Sequence, residues 1–434
     1  MTAPRGTDAA SASSLSPLLA RTFEAFDAAG VRWCLLRGER QLGDVEGDID
    51  VLVPPADWAR LRRLSVRHGF VPIRTWGRGS HRFLVGYDPI ADAWLRLDVV
   101  RDLRFGPYQS LKLAQRAEDL RRRRSGNVFV LDDGDAFWTL LLHCLLDKTE
   151  IAPKHRSRLC ELAEHGAGSD GLGALVDRVV ASVSITADDL LRTAKRGDWE
   201  TLEALRPVLR SCFVRSQPVR AAARRTVNAI LRRATRVVLL GERGLTVALT
   251  GPDGAGKSTL AAALRRHLPF PVAAVYMGMH RDAEGSARGE RPRALPVRLI
   301  RQWVRYAKAR FLRARGFLVI FDRYSVDATF PAAGHPSPVR RALRWLIGHG
   351  GPAPDLTLVL DAPAEVLFER KHEQPVDVLE RRRRQYLELA ERHPRTLVVD
   401  STLDIEQVRR DVTSAIWNEY VRRSGGAGAS STAS

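Results

Sequence analysis

The pattern of apolar and polar positions predicts a helix followed by several strands in the first part of the chain. The helix is indicated by apolar residues at helical spacing that stop before Gly30, namely Leu15, Leu18, Leu19, Phe23 and Phe26. Four apolar segments of strand length follow: Val31–Leu36, Ile49–Val53, Phe83–Tyr87 and Trp94–Val100. This order predicts a small α/β or α+β domain over residues 15–130.

The next part of the chain, residues 131–236, has helical patterns and almost no strand signal. Ala136–Leu146 is one apolar helical segment, and Leu172–Val183 is another. In the second of these, the apolar residues recur on one helix face. The region is therefore predicted to be an all-α connector.

The third part, residues 237–423, alternates strand-like runs with helical ones. The strand-like runs are Leu245–Leu249, Val272–Met277, Phe317–Phe321, Leu356–Leu360 and Thr396–Val399. Between them, Ile300, Trp303, Val304, Ala307 and Phe311 share one face of a helix. The alternation predicts an α/β domain with a parallel sheet and flanking helices. Residues 1–14 and 424–434 lack periodicity and are predicted to be disordered tails.

Composition narrows the class of protein. The chain has 434 residues, of which 44% are hydrophobic and 27% charged, as in a globular protein. No apolar stretch reaches the roughly 20 residues of a membrane span, and the first residues lack the pattern of a secretory signal. The four cysteines have no CxxC spacing and are predicted to be reduced thiols. A cytoplasmic location is the resulting expectation.

The net charge of +19 favours negatively charged partners in general. Only seven of the 69 basic residues are lysine, however, and we attribute this skew to the base composition of the genome rather than to binding. Nucleic acid is therefore not the expected partner. We expect a small-molecule nucleotide or another phosphorylated acceptor, and the sequence leaves a homodimer open.

The strongest motif is a glycine-rich segment with the spacing GxxxxGK[ST], directly after the predicted strand Leu245–Leu249. Its residues are Gly251, Pro252, Asp253, Gly254, Ala255, Gly256, Lys257, Ser258 and Thr259. Glycines let backbone N–H groups turn around phosphates, and the following helix adds its partial positive charge. Lys257 is expected to reach the β- and γ-phosphates of ATP, and Ser258 to bind Mg²⁺. The alternative is a glycine-rich turn that matches by chance.

A second signal is the apolar run Phe317–Phe321, which delivers Asp322 and Arg323 at its carboxyl end. Ligands of open parallel sheets bind at the carboxyl ends of strands, so Asp322 is expected to face the same crevice as the glycine-rich loop. Asp322 is a candidate ligand of Mg²⁺, and Arg323 a candidate for an acceptor phosphate. The alternative is a surface ion pair at a strand end.

Together these segments resemble thymidylate kinase and its relatives over about Thr246–Tyr420. The resemblance rests on GPDGAGKST, FDRYSVD, PDLTLVLDAPAEVLFERK, and LERRRRQYLELAE followed by LVVD. It implies that residues 251–259 bind ATP and that Asp253 faces the acceptor sugar. It also implies that Asp322 and Arg323 serve the acceptor phosphate and the metal.

The same resemblance implies a lid that carries arginine. Some relatives have a catalytic arginine inside the loop where this chain has Gly254, so an active enzyme needs one from the lid. Arg370 and Arg381 are the predicted catalytic lid residues, with Arg383 as a further candidate. Arg382 and Arg384 are equally well explained as a solvated helix face.

One departure from the family concerns the acceptor side. Where thymidylate kinases carry Glu-Pro-Gly-Gly-Thr after the second strand, this chain reads Tyr276-Met-Gly-Met-His280, and its lid is short. The resemblance therefore implies the use of ATP more strongly than it implies specificity for thymidylate.

Near the N-terminus, three aspartates are placed to share a metal. Asp48 and Asp50 alternate on one strand, and Asp98 lies in the middle of another. Converging carboxylates repel one another unless cations neutralise them, which predicts Mg²⁺ sites for nucleotidyl or phosphoryl transfer. The spacing resembles the nucleotidyltransferase fold of the DNA polymerase β type over about Leu15–Val100. Glu39 follows Gly38 where that family has a small residue, and strand-end aspartates without catalysis are the alternative.

The sequence thus predicts an ATP- and Mg²⁺-dependent phosphotransferase that resembles thymidylate kinase, fused to a Mg²⁺-dependent nucleotidyltransferase. Its predicted acceptor is a nucleotide or another phosphorylated molecule. Two alternatives stay open: a scaffold protein in which the P-loop is a regulatory switch, and a protein whose main activity is N-terminal nucleotidyl transfer.

Overall fold

The computed structural model describes residues 15–37, 42, 47–73, 76–77, 79–165, 170–237, 244–277, 295–322, 324 and 351–424, with the side chains of 232–237, 295–299 and 322 left out. The chain forms two compact units that divide between Val238 and Leu239. Both regions of the N-terminal half, the predicted domain 15–130 and the predicted connector 131–236, fall in the first unit.

The first unit begins with a helix and a mixed sheet. Its early elements are α1 (Pro17–Ala28), β1 (Cys34–Leu35), β2 (Asp48–Leu52), α2 (Trp58–Arg67), β3 (Val71–Ile73), β4 (His81–Asp88), β5 (Ala93–Val100), β6 (Arg104–Phe105), β7 (Leu111–Lys112), β8 (Arg122–Ser125) and β9 (Val128–Leu131). Seven strands form one sheet in the order β3-β4-β5-β2-β1-β9-β8, and β6 pairs with β7. Within the large sheet, β2 runs parallel to β5 and β1 parallel to β9.

Helices complete the first unit. They are α3 (Asp133–Leu146), α4 (Pro153–His165), α5 (Leu172–Val180), α6 (Ala187–Lys195), α7 (Trp199–Ala204), α8 (Arg206–Arg215) and α9 (Pro218–Val237). The helical prediction for this region is confirmed, although α5 ends three residues before the predicted Val183. The helices share one apolar core with the sheet residues Leu52, Val100 and Leu131, so they pack on the sheet rather than merely following it.

A second core fills the other side of the sheet, and Trp33 lies at its centre. The Trp33 ring stacks on Phe23 of α1 at 4.5 Å and meets the edges of Phe26 and Phe129. Its indole Nε1 donates a hydrogen bond of 2.7 Å to Asp27. The indole therefore buries its apolar surface without leaving its N–H unpaired.

The second unit is a five-stranded parallel sheet with helices. Its elements are β10 (Thr246–Thr250), α10 (Lys257–His267), β11 (Val272–Tyr276), α11 (Leu295–Ala314), β12 (Leu318–Asp322), β13 (Leu356–Asp361), α12 (Ala364–Arg370), α13 (Val376–Arg392), β14 (Thr396–Asp400) and α14 (Ile405–Arg423). The strand order is β11-β12-β10-β13-β14. All five predicted strands are confirmed to within a residue, as is the parallel α/β arrangement.

A buried carboxylate ties three elements of this unit together. Asp355, just before β13, accepts a hydrogen bond from the backbone N–H of Thr246 in β10 at 2.9 Å. It also pairs with Arg423 of α14 at 2.7 Å and with Arg313 of α11 at 3.3 Å. Because two guanidinium groups and a backbone donor surround it, the carboxylate is buried with its charge compensated.

Helix α11 buries a different face from the one its apolar pattern suggests. Ile300, Trp303, Val304 and Phe311 are each more than half exposed. Tyr306 and Ala309 instead pack against the sheet residues Val319 and Phe321. The shared apolar face exists, but it does not cover the sheet. None of the helices in the described ranges is long and apolar enough to cross a membrane.

The first helix is fixed by a carboxylate from another part of the chain. Asp88, fully buried at the end of β4, accepts hydrogen bonds from Ser16 Oγ at 2.7 Å and from the backbone N–H of Leu18 at 3.0 Å. It also accepts from the backbone N–H groups of Ile90 and Ala91. Burial alone would raise the pKa of Asp88, but these hydrogen bonds outweigh it and hold the pKa below its ordinary value of 3.8.

Replacing Asp88 should therefore destabilise the first unit. We expect Asp88→Ala to lower the free energy of unfolding by about 2–3 kcal/mol, because two buried donors and two further backbone N–H groups lose their acceptor. Since the folded pKa is depressed, this contribution is complete above pH of about 4 and is lost as the pH falls through the folded pKa. Urea unfolding at pH 7 and at pH 3 measures both effects. The exposed Asp188→Ala is the control, and an equal loss in the two variants would contradict the assignment.

Candidate active site

Parallel strands bring the predicted site residues to one edge of the second sheet. Leu249 of β10 is in register with Asp322 of β12, and Tyr276 of β11 with the same Asp322. On the other side, Asp361 of β13 is in register with Asp400 of β14. The glycine-rich loop follows β10 at this edge, between Thr250 and Lys257. Ligand-binding groups of open α/β sheets collect at this position.

The loop turns through three glycines in the left-handed region. Gly251, Gly254 and Gly256 have φ angles of 138°, 89° and 84°. A Cβ on Gly251 would lie 2.5 Å from the carbonyl oxygen of Leu360, and one on Gly254 would lie 2.5 Å from that of Leu367. Two of the three glycines are therefore required by close backbone approach as well as by conformation.

Lys257, in the first turn of α10, contacts the glycine-rich loop. Its Nζ donates hydrogen bonds to the carbonyl oxygens of Gly251 at 2.8 Å and Pro252 at 2.7 Å. The ammonium thus lies at the rim of the glycine turn, where a phosphate chain would pass. The loop and the lysine fit the phosphates of a nucleotide.

A cavity of about 730 Å³ opens over the loop. It is lined by loop and helix residues from Asp253 to Leu260, by Tyr276, by Arg370 and Lys371, and by a segment that includes Ser401, Leu403, Asp404 and Ile405. Arg370 Nη1 donates a hydrogen bond of 2.9 Å to the carbonyl oxygen of Ser401 and so closes one side. The volume is that of a cofactor-sized pocket.

The segment after β14 was not predicted as part of the site. Its residues Ser401–Ile405 carry no motif, but the signal was available, because the predicted strand Thr396–Val399 had to end at the same sheet edge as the loop. The carboxyl end of a parallel strand in the sheet that carries the P-loop is a site position whatever its sequence.

Asp253 of the loop is contacted by Arg382 of α13 and by Gln374, which lies two residues before that helix. Gln374 Nε2 donates a hydrogen bond of 3.1 Å to Asp253 Oδ2, and Arg382 Nη1 lies 3.9 Å from the same oxygen. The Asp253 side chain is mostly buried. Among the four consecutive arginines Arg381–Arg384, Arg382 is thus the one directed at the loop.

The other arginines of this run have partners elsewhere. Arg383 forms a two-pronged ion pair with Asp361, at 2.8 and 3.0 Å, and these hydrogen bonds raise the pKa of its guanidinium. Arg381 pairs with Asp377 one turn earlier on an exposed face of α13 and does not line the cavity. Arg384 pairs with Glu380. The predicted lid residue Arg370 therefore reaches the cavity, and the predicted Arg381 does not.

Three residues named in the sequence analysis lie partly or wholly outside the described residues. The backbone of Asp322 ends β12 at the site edge, as predicted, but its side chain lies outside the described residues. Arg323 and His280 also lie outside them. Their roles stay predictions.

Comparison with known proteins decides the family. No family model matches the chain. A thymidylate kinase of Pseudomonas putida strain GB-1 is 32% identical to it over 206 residues, which are 40% of this chain and 95% of that protein. The chain belongs to the thymidylate kinase family.

Two further thymidylate kinases are similar to the chain in sequence, and one solved structure is reported beside them. A probable thymidylate kinase of Methanococcoides burtonii is 31% identical over 200 residues, and that of Paraburkholderia phytofirmans is 31% identical over 204. A solved thymidylate kinase of Candida albicans is 21% identical with a TM-score of 0.33, covering 41% of this chain and 94% of that one. The chain thus resembles nucleotide kinase-like phosphotransferases over about two fifths of its length.

The three predicted metal ligands of the first unit have basic partners. Asp50 is in register with Asp98 on the neighbouring parallel strand and Asp48 with Arg96, so two of the three aspartates lie side by side. Each carboxylate is paired, however: Asp48 with Arg96 at 3.2 Å, Asp50 with Arg37 at 2.9 Å, and Asp98 with His81 at 2.7 Å. In the described residues, no group of three or more His, Cys, Asp or Glu side chains is placed to hold a metal ion. Gly38 and Glu39 lie outside those residues.

The loop geometry predicts different effects for two glycine substitutions. Gly254→Ala and Gly256→Ala both force an L-residue to a positive φ, at a cost of about 1 kcal/mol or more. Only Gly254→Ala adds a Cβ against a backbone carbonyl, since the Cβ position of Gly256 is open. Titration with a fluorescent ATP analogue should show a loss of affinity for Gly254→Ala at least about tenfold greater than for Gly256→Ala. Equal losses would mean that the contact with Leu367 does not constrain the loop.

Proposed function

We propose that the second unit transfers the γ-phosphoryl group of ATP to a nucleoside monophosphate or to another phosphorylated acceptor. One observation carries this proposal: Lys257 lies over a turn of left-handed glycines inside a cavity of nucleotide size. Membership of the thymidylate kinase family supports the same class of reaction.

In this proposal, residues 251–259 bind the phosphates of ATP. Backbone N–H groups and the N-terminus of α10 supply fixed partial charges that need no rearrangement during the transfer. Ser258, at the start of α10, and Asp322, at the end of the adjacent strand, are the residues that would hold Mg²⁺. When bound, Mg²⁺ neutralises charge on the phosphate oxygens.

The acceptor is proposed to bind on the side of Asp253, Asp322 and Arg323. Gln374 donates a hydrogen bond to the Asp253 carboxylate and Arg382 lies 3.9 Å from it, which supports a role for both as positioning residues for whatever Asp253 contacts. The chain reads Tyr276-Met277 where the family has its phosphate-binding turn. Because of this difference, the chemical identity of the acceptor has to be determined by direct assay.

The first assay is release of ADP from MgATP by the full chain, with a panel of nucleoside monophosphates that includes dTMP. We expect turnover with at least one acceptor, lowered about 100-fold or more by Lys257→Ala because a preorganised donor to the transferring group is removed. Asp322→Ala should also lower it. Tight binding of ATP without turnover on any acceptor would contradict the proposal and favour the nucleotide-dependent switch.

A second comparison tests which lid arginine serves the site. Arg382→Ala should lower kcat/KM for the acceptor about tenfold, which corresponds to the loss of one charged contact near Asp253. Arg381→Ala removes an exposed ion pair and should change kcat/KM less than twofold. A larger fall in kcat/KM for Arg381→Ala than for Arg382→Ala would instead support the catalytic role predicted for Arg381 from the sequence.

Nucleotidyl transfer by the first unit stays a prediction. The register of Asp50 with Asp98 supports it, because two carboxylates on adjacent strands face the same side of the sheet. Release of pyrophosphate from nucleoside triphosphates, measured in the Lys257→Ala chain, is the test. Release that is unchanged in Asp50→Asn would contradict the role of the aspartates.

A further inference from the structure

Asp361, the last residue of β13, connects several parts of the second unit that surround the P-loop cavity. It lies at the edge of the sheet where the site forms, in register with Asp400 of β14. Its side chain is mostly buried, with 18% of its surface exposed, and it does not line the cavity. Any effect of Asp361 on the reaction therefore has to pass through its neighbours.

The Asp361 side chain holds helix α13. Arg383 Nε donates a hydrogen bond of 2.8 Å to Asp361 Oδ1, and Arg383 Nη2 donates one of 3.0 Å to Asp361 Oδ2. A two-pronged pair of this kind fixes the direction of the guanidinium as well as its distance. The Arg383 side chain is 27% exposed and that of Arg384 73% exposed, so water screens the Asp361–Arg383 pair less than the Glu380–Arg384 pair.

The rotation of α13 about its axis sets the direction of Arg382. Consecutive residues of an α-helix differ by about 100° around the axis, so a helix held through Arg383 directs Arg382 at a different element. That element is the glycine-rich loop, where Arg382 Nη1 lies 3.9 Å from Asp253 Oδ2. Gln374, two residues before α13, donates a hydrogen bond of 3.1 Å to the same oxygen. The Asp361–Arg383 pair thus attaches α13 to the sheet beside both residues that contact Asp253.

The backbone of Asp361 holds another wall of the cavity. Its carbonyl oxygen accepts hydrogen bonds from the backbone N–H of Ser401 at 2.8 Å and from Ser401 Oγ at 2.9 Å. The carbonyl oxygen of Ser401 in turn accepts a hydrogen bond from Arg370, and both residues line the cavity. A substitution that changes only the carboxylate of Asp361 therefore leaves this second set of contacts in place.

We propose that Asp361 is a positioning residue for phosphoryl transfer, and that its carboxylate orients α13 so that Arg382 lies beside Asp253. This inference rests on the proposed function, in which the acceptor binds on the side of Asp253. In this role Asp361 touches neither ATP nor the acceptor. Loss of its charge should therefore impair the acceptor side of the reaction and spare the binding of ATP, which depends on the glycine-rich loop, Ser401 and Arg370.

The variants Asp361→Asn and Arg383→Gln test this role in the full chain, with an acceptor that gives turnover in the ADP-release assay. Each should lower kcat/KM for the acceptor about tenfold, because the two-pronged pair loses one of its charges. The affinity for a fluorescent ATP analogue should change less than twofold. A fall in ATP affinity as large as the fall in kcat/KM would overturn the proposal.

The matched control is Arg384→Gln on the same helix. It removes the exposed ion pair with Glu380 and should change kcat/KM for the acceptor less than twofold. An effect of Arg384→Gln equal to that of Arg383→Gln would contradict a specific role for the pair with Asp361.

A double-mutant cycle separates positioning from a general loss of stability. Because Asp361 acts through Arg382 in this proposal, Asp361→Asn should lower kcat/KM less than about threefold in a chain that already carries Arg382→Ala. The two substitutions remove the same contribution to the reaction. A further tenfold fall in the Arg382→Ala chain would overturn the proposal.

Hydrogen–deuterium exchange of the full chain tests the attachment of α13 without turnover. Backbone amides of α13 should exchange faster in Asp361→Asn than in Arg384→Gln, and those of Ser401–Ile405 should exchange equally in the two variants. Absence of turnover with every acceptor in the unsubstituted chain would contradict the proposed function, and the exchange rates would still show whether Asp361 holds α13. Equal exchange of α13 in the two variants would overturn the inference.

Discussion

The second unit depends on a close approach between the P-loop and the backbone that follows β13. Gly251 lies against the carbonyl of Leu360, and Gly254 against that of Leu367, at distances that leave no room for a side chain. Leu367 belongs to α12, which ends at Arg370. The same contact therefore sets the shape of the phosphate turn and the position of the arginine that closes the cavity. Any change that lifts the loop from α12 would alter both together.

Ion pairing decides which of the many cations serve a ligand. The chain is rich in arginine, yet most arginines beside the P-loop cavity have carboxylates of their own. Arg383 is held by Asp361 in a two-pronged pair, and Arg381 by Asp377 on an exposed face. Arg370 and Arg382 are the described arginines that reach the cavity or its loop aspartate. Of the four consecutive arginines 381–384, Arg382 is therefore the one directed at the loop, because of its position around the axis of α13.

In the first unit, the aspartates of the sheet also have basic partners. Its sheet brings Asp50 and Asp98 side by side. Arg37 pairs with Asp50 and Arg96 with Asp48, and the His81 ring lies 2.7 Å from Asp98. The helices after residue 131 share a core with the sheet and belong to the same compact unit.

The sequence by itself determined the strands of the second unit, its parallel order and the P-loop, because apolar periodicity and a glycine-lysine spacing are local properties of neighbouring residues. It also predicted that three N-terminal aspartates converge, and two of them, Asp50 and Asp98, are in register on neighbouring strands. Only the tertiary structure decided that α11 buries Tyr306 and Ala309 instead of its apolar stripe, and that Arg382 rather than Arg381 faces Asp253. These outcomes depend on distances between side chains far apart in the chain, and a periodic pattern along one helix carries no information about its partner.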